Sequence, residues 1–370
     1  MLDEQPVRSI AISTGGGDAP GLNAVIRAAV LAADNRGWAC WGVRDGYHGI
    51  LQPGQYDGEG VFRLTRQSVA GISHLGGTIL GTTNRGNPFK YPVLQPDGSH
   101  VEVDRSDELV SALKSRGIDA LIAVGGDGSL AIAYELSKKG VRVVGVPKTI
   151  DNDLDRTFMT FGFDSAVSFA TECLDRLHST AASHHRIMVV EVMGRFAGWI
   201  ALHSGIAGGA AAILIPEIPY DLEKVADHIE RRAQKGRLYT LVVVAEGAAP
   251  KGGHVSTVGK NIGQAERLGG IGEKVGRELE QRVGRETRVV VLGHLLRGGS
   301  PTSFDRLVAL RFGAAAVRAL EAGHSGVMVS LEPPHVRYQP LESAIGRMKV
   351  VALASDTMAT ARDLDICFGD

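Results

Sequence analysis

Three aspartates lie in two short loops, each of which follows a hydrophobic run. Asp151 and Asp153 are two positions apart in VPKTIDNDLD (146–155), and Asp127 lies in VGGDGSL (124–130). Two carboxylates this close suit different tasks, because one can accept a proton from a hydroxyl group while the other helps to hold a metal ion. One strand–helix unit separates the two loops, so we expect them to be neighbours in space. A solvated acidic loop before a helix is the structural alternative.

Glycine-rich loops around these aspartates predict backbone contacts with phosphate. TGGGDAPG (14–21) lies between a strand pattern and a helix pattern, and Gly125, Gly126 and Gly128 flank Asp127. Without a Cβ, such backbone can approach a phosphate closely, and the following helix N-terminus favours the anion. A third loop, GGTILGTTNRGNP (76–88), carries Arg85, whose planar guanidinium suits phosphate oxygens. The structural alternatives are an ordinary strand–helix turn for the first loop and a mobile surface loop for the third.

Cationic side chains lie at both ends of two further strand patterns. Arg186 precedes and Arg195 follows the strand in HHRIMVVEVMGRFAG (184–198), while Arg288 precedes and His294 and Arg297 follow the strand in ETRVVVLGHLLRGGSP (286–301). At about 3.3 Å per residue, the two ends of such a strand are too far apart to contact one ligand within one subunit. Either one end is structural, or each end serves a different active site across a subunit interface.

The elements that position these residues are short β-branched runs alternating with amphipathic stretches. Strands are predicted at 8–14, 120–126, 141–147, 186–194, 210–217, 239–247 and 288–294, with helices between several of them, including 221–234 and 271–282. Nearly continuous hydrophobic strands separated by helices are typical of parallel sheets covered on both faces. The predicted class is α/β with two doubly wound, Rossmann-like domains and mainly parallel sheets. Ligands bind such sheets at the carboxyl ends of the strands, where the unusual loops fall.

Composition limits the classes of protein that remain. The chain has 370 residues with a formal net charge of -1, so a general nucleic-acid binder is not expected. Glycine accounts for 48 of the 370 residues, a share well above the ~7% that is usual for proteins. The longest apolar stretch, 199–215, is shorter than the ~20 residues that a membrane span needs, so we expect it to be core and expect no membrane partner. The three distant cysteines and a polar N-terminus, MLDEQPVRS, without the hydrophobic segment of a signal peptide favour the cytoplasm.

Taken together, seven motifs resemble those of the 6-phosphofructokinase family of the bacterial type. They span residues 10 to about 320 in family order: TGGGDAPGLN, GGTILGTTNRGNP, GGDGS, PKTIDND, VVEVMGR, VAEG and GHLLRGGSPTSFDR. The resemblance implies a glycolytic enzyme that transfers a phosphoryl group from ATP to the 1-hydroxyl of fructose 6-phosphate, giving fructose 1,6-bisphosphate. Mg²⁺ is the implied cofactor.

The resemblance also implies a role for each matching residue. Asp151 would be the general base, with Arg195 and Thr149 stabilising charge on the transferring phosphoryl group. Mg²⁺ would be held by Asp127, with Asp153 supporting the metal and the base. The donor phosphates would be held by Gly16, Arg85, Gly125, Gly126, Asp127, Gly128, Ser129 and Lys148. The sugar phosphate would contact Met193, Gly194, Glu246, His294 and Arg297, and, from a neighbouring subunit, Arg186 and Arg288.

By the same resemblance, the chain divides into a donor domain (1–162 plus 296–346) and a fructose 6-phosphate domain (163–295 plus 347–370), with the active site in the cleft between them. A homotetramer with shared active sites is implied, and a dimer is the alternative. Residues Leu31, His178 and Ala211 depart from the effector-binding pattern of the regulated bacterial enzymes, so weak or altered regulation is expected.

Two positions disagree about the phosphoryl donor. Gly128 is the small residue that admits the α-phosphate of ATP in this family, whereas Lys148 is the residue typical of pyrophosphate-dependent members. An aspartate in the tight loop would add bulk and repulsion, whereas a lysine side chain can turn toward or away from solvent, so Gly128 favours ATP. Ile132 replaces a glycine that the ATP enzymes keep beside the adenine. Pyrophosphate as donor and sedoheptulose 7-phosphate as acceptor therefore stay open.

Two other classes of protein compete with this one. A lipid or NAD kinase shares the glycine–aspartate loop but does not account for the MGR, GHLLRGG and TIDND motifs. A non-catalytic sugar-phosphate sensor on the same fold is expected to have lost Asp127 or Asp151, and both are present.

Overall fold

Hydrophobic runs form strands and the amphipathic stretches between them form helices in the computed structural model, which describes residues 6–259 and 267–370. The strands are β1 (Ser9–Thr14), β2 (Ala39–Val43), β3 (Val61–Leu64), β4 (Tyr91–Leu94), β5 (His100–Val103), β6 (Ala120–Gly125), β7 (Arg142–Pro147), β8 (Ile187–Val192), β9 (Ala212–Leu214), β10 (Thr240–Ala245), β11 (Thr257–Gly259), β12 (Arg267–Leu268), β13 (Thr287–Val291), β14 (Val327–Glu332) and β15 (His335–Pro340). The α-helices are α1 (Leu22–Asp34), α2 (His48–Leu51), α3 (Ser106–Ser115), α4 (Asp127–Lys138), α5 (Phe163–His184), α6 (Trp199–Ala207), α7 (Leu222–Gln234), α8 (Ile271–Val283), α9 (Ser303–Glu321), α10 (Leu341–Ala344) and α11 (Asp356–Asp363).

The chain divides into two compact units. Unit 1 comprises Met1–Thr149, Leu154–Gly162 and Arg297–Arg347, and unit 2 comprises Ile150–Asp153, Phe163–Leu296 and Met348–Asp370. The four residues Ile150–Asp153, which the sequence assigned to the donor domain, group with unit 2.

Unit 1 is built on a seven-stranded sheet in the order β15-β14-β7-β6-β1-β2-β3. The pairs from β14 to β2 are parallel, and the two outermost pairs are antiparallel. Helices α1 and α9 pack together on one face, where Ile26 and Phe312 are fully buried, and α3 and α4 cover the other face through Leu109 and Leu136. Both faces are therefore apolar, which accounts for the continuous hydrophobic strands.

Unit 2 is built on a four-stranded, fully parallel sheet in the order β13-β8-β10-β9. Helices α7 and α8 bury Val225 and Val275 against one face, and α5 and α6 pack on the other. Two doubly wound units with mainly parallel sheets confirm the predicted fold class. The apolar stretch 199–215 forms α6 and β9, with Leu202 and Ile213 fully buried, as expected for core.

Within the described residues, the predicted strands end within a few positions of those observed, and the largest difference is at 210–217, where only Ala212–Leu214 is strand. In the seven-stranded sheet, β2, β3, β14 and β15 were not predicted, and neither was the antiparallel hairpin β4–β5. Residues 1–5, the beginning of the segment on which the expectation about a signal peptide rests, lie outside the described part. No helix in the described ranges is long and apolar enough to cross a membrane.

Candidate active site

The residues that the sequence assigned to one site are distributed over both units, so each unit's part is described by itself. Unit 1 holds Gly16, Arg85, Gly125, Gly126, Asp127, Gly128, Ser129, Lys148, Thr149 and Arg297. Unit 2 holds Asp151, Asp153, Arg186, Met193, Gly194, Arg195, Glu246, Arg288 and His294.

In unit 1, the first glycine loop leaves β1 and lies against two other loops. The Gly15 amide donates to the carbonyl of Val124 (2.9 Å), and the Gly16 amide donates to that of Thr83 (3.0 Å). Thr82 Oγ1 donates to the carbonyl of Gly16 (2.6 Å). Gly16 has a φ of +79°, in the left-handed region that favours glycine. The three loops predicted to handle phosphate are thus held together by backbone hydrogen bonds.

Ser129 explains why two of these loops require glycine. A Cβ on Gly15 would lie 2.7 Å from Ser129 Oγ, and a Cβ on Gly125 would lie 2.6 Å from the same atom. Ser129 lies in the first turn of α4, which starts at Asp127 directly after β6 and Gly126. The first turn of a helix presents backbone amides and the positive end of the helix dipole, which favour bound anions such as nucleotide phosphates. In contrast, a Cβ on Gly128 would meet nothing within 4 Å, so this position is open.

Asp127 is the first residue of α4 rather than a turn residue, and its side chain is exposed. Its Oδ1 accepts a hydrogen bond from the Gly346 amide (2.8 Å), which fixes the carboxylate. Mg²⁺ keeps several water ligands and is commonly bound by one or two carboxylates together with substrate phosphates. An exposed, fixed carboxylate beside an anion-binding turn suits that mode. Within the described residues there is no cluster of three or more His, Cys, Asp or Glu side chains that could hold a metal by themselves.

Lys148 is only 3% exposed, so it does not extend into solvent as a lysine at this position could. Its ammonium group donates to the carbonyl of Gly17, and its backbone amide donates to that of Gly125 (2.9 Å). Lys148 therefore links the end of β7 to both glycine loops. Thr149 is also buried, and its carbonyl accepts a hydrogen bond from Thr160 Oγ1 (2.7 Å).

Two arginines of unit 1 differ in their surroundings. Arg85 is exposed, and its backbone is fixed by a hydrogen bond from its amide to Thr83 Oγ1 (3.0 Å). Arg297, predicted for the sugar phosphate, ends a 3₁₀ turn that starts at Gly293, and its Nη1 donates to the carbonyl of Asp18 (3.1 Å). A Cβ on Gly17 would lie 2.7 Å from that nitrogen. The guanidinium of Arg297 thus lies against the first glycine loop.

In unit 2, Asp151 is 4% exposed and precedes a left-handed residue, Asn152, whose φ is +52°. Lys349 contacts this segment twice: its amide donates to the carbonyl of Asp153 (2.8 Å), and its Nζ donates to Asn152 Oδ1 (2.8 Å). No sequence motif indicated Lys349, because 197 positions separate it from Asn152.

Arg195 and Glu246 follow the neighbouring parallel strands β8 and β10. Glu246 Oε1 accepts a hydrogen bond from the Arg195 amide (3.0 Å), and Arg195 has a φ of +51°. Burial raises the pKa of Glu246 above its ordinary value, although the amides of Arg195 and Gly194 oppose this shift. Arg195 is exposed, and Met193 is half-buried. The Glu246 carboxylate is thus hydrogen-bonded to the backbone of Arg195 at the carboxyl end of the sheet.

The opposite end of the same sheet holds Arg186 and Arg288, on the two sides of Glu286. Arg186 Nε lies 2.5 Å from Glu286 Oε2, and Arg288 forms an ion pair with the other carboxylate oxygen. Arg288 is the second residue of β13 and pairs with Met188, so the expectation that it precedes the strand was wrong by two residues. The length of strand β8 separates Arg186 and Arg288 from Arg195, which follows the carboxyl end of that strand. The exposed His294 follows the parallel strand β13 at the same carboxyl end of the sheet as Arg195. Glu286 was not singled out from the sequence, because its role depends on strand pairing.

The three positions that depart from the effector pattern have local structural partners. His178 Nε2 lies 2.8 Å from the carbonyl of Gly208, and its ring meets that of Tyr239 edge-on. Leu31 packs against the core of unit 1, and Ala211 is 3% exposed.

In unit 1, glycine loops at strand ends and a helix start that favours anions are the features of a phosphate-handling α/β protein of the kind to which kinases belong. The model of the family described as Phosphofructokinase matches residues 9–320. The chain is 49% identical over 370 residues to an ATP-dependent 6-phosphofructokinase of Chloroflexus aurantiacus, covering 98% of each. It is 47% identical over 345 residues to a pyrophosphate–fructose 6-phosphate 1-phosphotransferase of Amycolatopsis mediterranei, covering 92% of this chain and 96% of the relative. The chain belongs to the phosphofructokinase family, which confirms the resemblance.

A solved structure supports the same conclusion. The chain is similar to Pichia pastoris phosphofructokinase in the T-state, with a TM-score of 0.77 and 33% identity. The match covers 99% of this chain and 37% of the Pichia chain.

Proposed function

We propose that this protein is an ATP-dependent 6-phosphofructokinase, which transfers the terminal phosphoryl group of ATP to the 1-hydroxyl of fructose 6-phosphate. The observation that carries the proposal is the packing of the Gly15–Gly17 and Gly125–Ser129 loops around Ser129 at the start of α4. This arrangement provides backbone donors for a chain of phosphates. The full-length similarity to a curated ATP-dependent relative supports the choice of substrates.

In the proposed reaction, Asp151 acts as the general base. The bond between O1 of the sugar and the γ-phosphorus forms while the bond from that phosphorus to the ADP oxygen breaks, and the hydroxyl proton passes to the carboxylate of Asp151. Arg195 and Thr149 stabilise the charge on the transferring group. Phosphoryl transfer depends mainly on positioning and charge neutralisation, which these groups provide.

Mg²⁺ is the proposed cofactor, with Asp127 as its principal ligand and Asp153 as support. When bound, it would neutralise charge on the phosphate oxygens of the donor. The exposure of the Asp127 carboxylate and its hydrogen bond from Gly346 support this role, because they leave room for water and phosphate ligands.

The donor phosphates are assigned to Gly16, Arg85, the Gly125–Ser129 loop and Lys148. For the sugar, Glu246 would bind the hydroxyls, and Met193 and Gly194 would contact it through backbone. His294 and Arg297 would bind the 6-phosphate. Because Arg297 Nη1 donates to the Asp18 carbonyl, the guanidinium must either release this carbonyl or use its other N–H groups to bind the 6-phosphate.

Pyrophosphate is the alternative phosphoryl donor, and two observations support it. Position 148 carries the lysine that is typical of pyrophosphate-dependent members, and the similar protein of Amycolatopsis mediterranei is named for pyrophosphate. Gly128 favours ATP, because the space beside it is open. Sedoheptulose 7-phosphate is the alternative acceptor, because arginines that bind a sugar's phosphate do not discriminate between sugars of different chain length.

The proposal is tested by assaying the purified protein with Mg²⁺ and fructose 6-phosphate, with ATP and pyrophosphate as donors side by side, and then with sedoheptulose 7-phosphate. We expect ATP to give the higher kcat/KM. The Asp151→Asn variant is expected to fold normally and to lose ~10²–10⁴-fold in kcat, the usual contribution of a general base. A near-parental rate in that variant would contradict the assignment of Asp151.

A homotetramer with shared active sites is proposed with this function, and a dimer is the alternative. Its support is the position of Arg186 and Arg288 at the end of the sheet opposite Arg195, where they could reach a ligand of a neighbouring subunit. Inactive Asp151→Asn and Arg186→Ala proteins should regain activity when they are dissociated, mixed and reassembled, because some hybrid sites combine an intact Asp151 with an intact Arg186. Two separately reassembled controls should stay inactive.

A cytoplasmic location is part of the proposal. Its support is that Cys40, Cys173 and Cys367 are all free, as is usual in a reducing compartment.

A further inference from the structure

Lys349 joins the C-terminal segment to the loop that carries the proposed base. Its backbone amide donates to the carbonyl of Asp153 (2.8 Å), and its ammonium group donates to the side-chain oxygen of Asn152 (2.8 Å). These two residues directly follow Asp151. One residue thus holds both the backbone and a side chain of the segment that presents the base.

Asn152 is the strained residue of that segment. Its φ of +52° lies in the left-handed region, and the residue is 4% exposed. Such a conformation persists where the surroundings impose it. The carboxamide of Asn152 is held by Lys349, so the lysine helps to fix the turn that sets the direction of Asp151.

Lys349 is itself fixed by two other elements of unit 2. Trp199 Nε1 donates to the carbonyl of Lys349 (2.8 Å), and the Lys349 ammonium lies 5.9 Å from the centroid of the Trp199 ring. Two residues further on, the Val351 amide donates to Glu217 Oε1 (2.8 Å). The same carboxylate oxygen accepts the Gly198 amide (3.0 Å) at the start of α6. The segment that delivers Lys349 is therefore anchored to α6 and to the chain that follows β9 rather than loose.

We propose that Lys349 is a positioning residue for Asp151, acting through the Asn152 carboxamide and the Asp153 carbonyl. It does not need to touch either substrate. Its function is to keep the turn at Asn152 in one conformation, so that the Asp151 carboxylate faces the hydroxyl that it deprotonates. This inference rests on the proposed function of Asp151, and it predicts a defect in the chemical step rather than in substrate binding.

The test compares Lys349→Met, which keeps the length of the side chain but removes its donor, with Lys349→Arg, which keeps a cationic donor. We expect Lys349→Met to lower kcat by about 10²-fold, the usual consequence of misplacing a reacting group by about 1 Å. The KM values for ATP and fructose 6-phosphate should change little. Lys349→Arg should restore most of the lost kcat. Lys114→Met, at an exposed position of α3, is the matched control and should behave like the parent.

A double-mutant cycle separates this role from general support of the fold. Asn152→Gly keeps a residue that tolerates the left-handed turn but removes the carboxamide. In that background, Lys349→Met should lower kcat much less than it does in the parent, because the shared contact is already gone. Additive losses, or a near-parental kcat in Lys349→Met, would overturn the proposal.

Hydrogen exchange gives a readout that does not depend on the reaction. Amides of the segment 150–156 should exchange faster in Lys349→Met than in the parent, whereas those of β10 should not change. Unchanged exchange in 150–156 would overturn the positioning role even if activity were lost. A parent protein without activity on fructose 6-phosphate would instead contradict the proposed function, while the exchange result would still decide whether Lys349 fixes the turn.

Discussion

The ammonium group of Lys148 donates a hydrogen bond to the carbonyl of Gly17. This contact joins the residue after β7 to the glycine loop after β1, two segments 131 positions apart in the sequence. Because Lys148 is buried, its charge lies beneath the loop rather than in solvent. A positive charge at that place favours bound phosphate whether the donor is ATP or pyrophosphate, so the lysine does not by itself select pyrophosphate.

Removing this ammonium group should weaken the binding of either donor. Lys148→Met is expected to raise the KM for ATP by roughly 10- to 100-fold, because a hydrogen bond to a charged group contributes ~1.5–3 kcal/mol. The KM for fructose 6-phosphate should change much less. Steady-state kinetics with each substrate varied in turn check this. An unchanged KM for ATP, with loss of a pyrophosphate-dependent rate, would show that Lys148 serves pyrophosphate.

Gly128 is the position at which the choice of donor is tested most cleanly. A Cβ there meets nothing within 4 Å, so both alanine and aspartate should fold. Gly128→Asp places a negative charge in the first turn of α4, and like charges brought together cost several kcal/mol, so kcat/KM for ATP should fall by about 10²–10³-fold. Gly128→Ala is the matched control and should stay close to the parent. Equal losses in both variants would mean that space, not charge, limits this position.

The sequence predicts the fold and the glycine loops of this protein better than it predicts the long-range hydrogen bonds and ion pairs that fix them. Continuous β-branched runs predicted most of the parallel strands, although not β2 and β14, and glycines after β1 and β6 predicted the loops that pack around Ser129. These signals are local, since periodicity and turn chemistry act over a few residues. The hydrogen bond from Lys349 to Asn152 and the ion pairs of Glu286 join distant parts of the chain, so no local pattern indicates them. For the same reason, the burial of Lys148 and the contact of Arg297 with Asp18 could not be read from their motifs.

Glu246 should make the stability of the folded protein depend on pH. Burial raises the pKa of its carboxyl group above the ordinary value, so the ionised form destabilises the folded state at neutral and alkaline pH. This destabilisation is relieved as the pH falls through the raised pKa, because the folded state then binds the proton more tightly than the unfolded state does. Glu246→Gln should therefore raise the Tm relative to the parent at alkaline pH, with a smaller gain in acid.

The same Glu246→Gln variant should lose affinity for the sugar. A neutral amide accepts hydrogen bonds less strongly than a carboxylate does, so the KM for fructose 6-phosphate should rise by roughly 10-fold. Thermal unfolding at several pH values and kinetics at neutral pH measure the two effects. A Tm that falls at alkaline pH would contradict the expected direction of the stability change, and an unchanged KM would remove Glu246 from the sugar site.

Glu286 competes with any phosphate for Arg186 and Arg288, since it forms ion pairs with both. The hydrogen bond from Arg186 holds the pKa of Glu286 below its ordinary value, so the competitor stays ionised throughout the neutral range. Glu286→Gln should lower the KM for fructose 6-phosphate by at most about 5-fold, because exposed ion pairs contribute little to binding or stability. The effect should shrink as salt is added, since salt screens exposed charges.

Glu230→Gln, at an exposed position of α7, removes the same charge elsewhere and should leave the KM unchanged. A higher KM in Glu286→Gln would mean that the carboxylate orients the two arginines for the phosphate rather than competing with it.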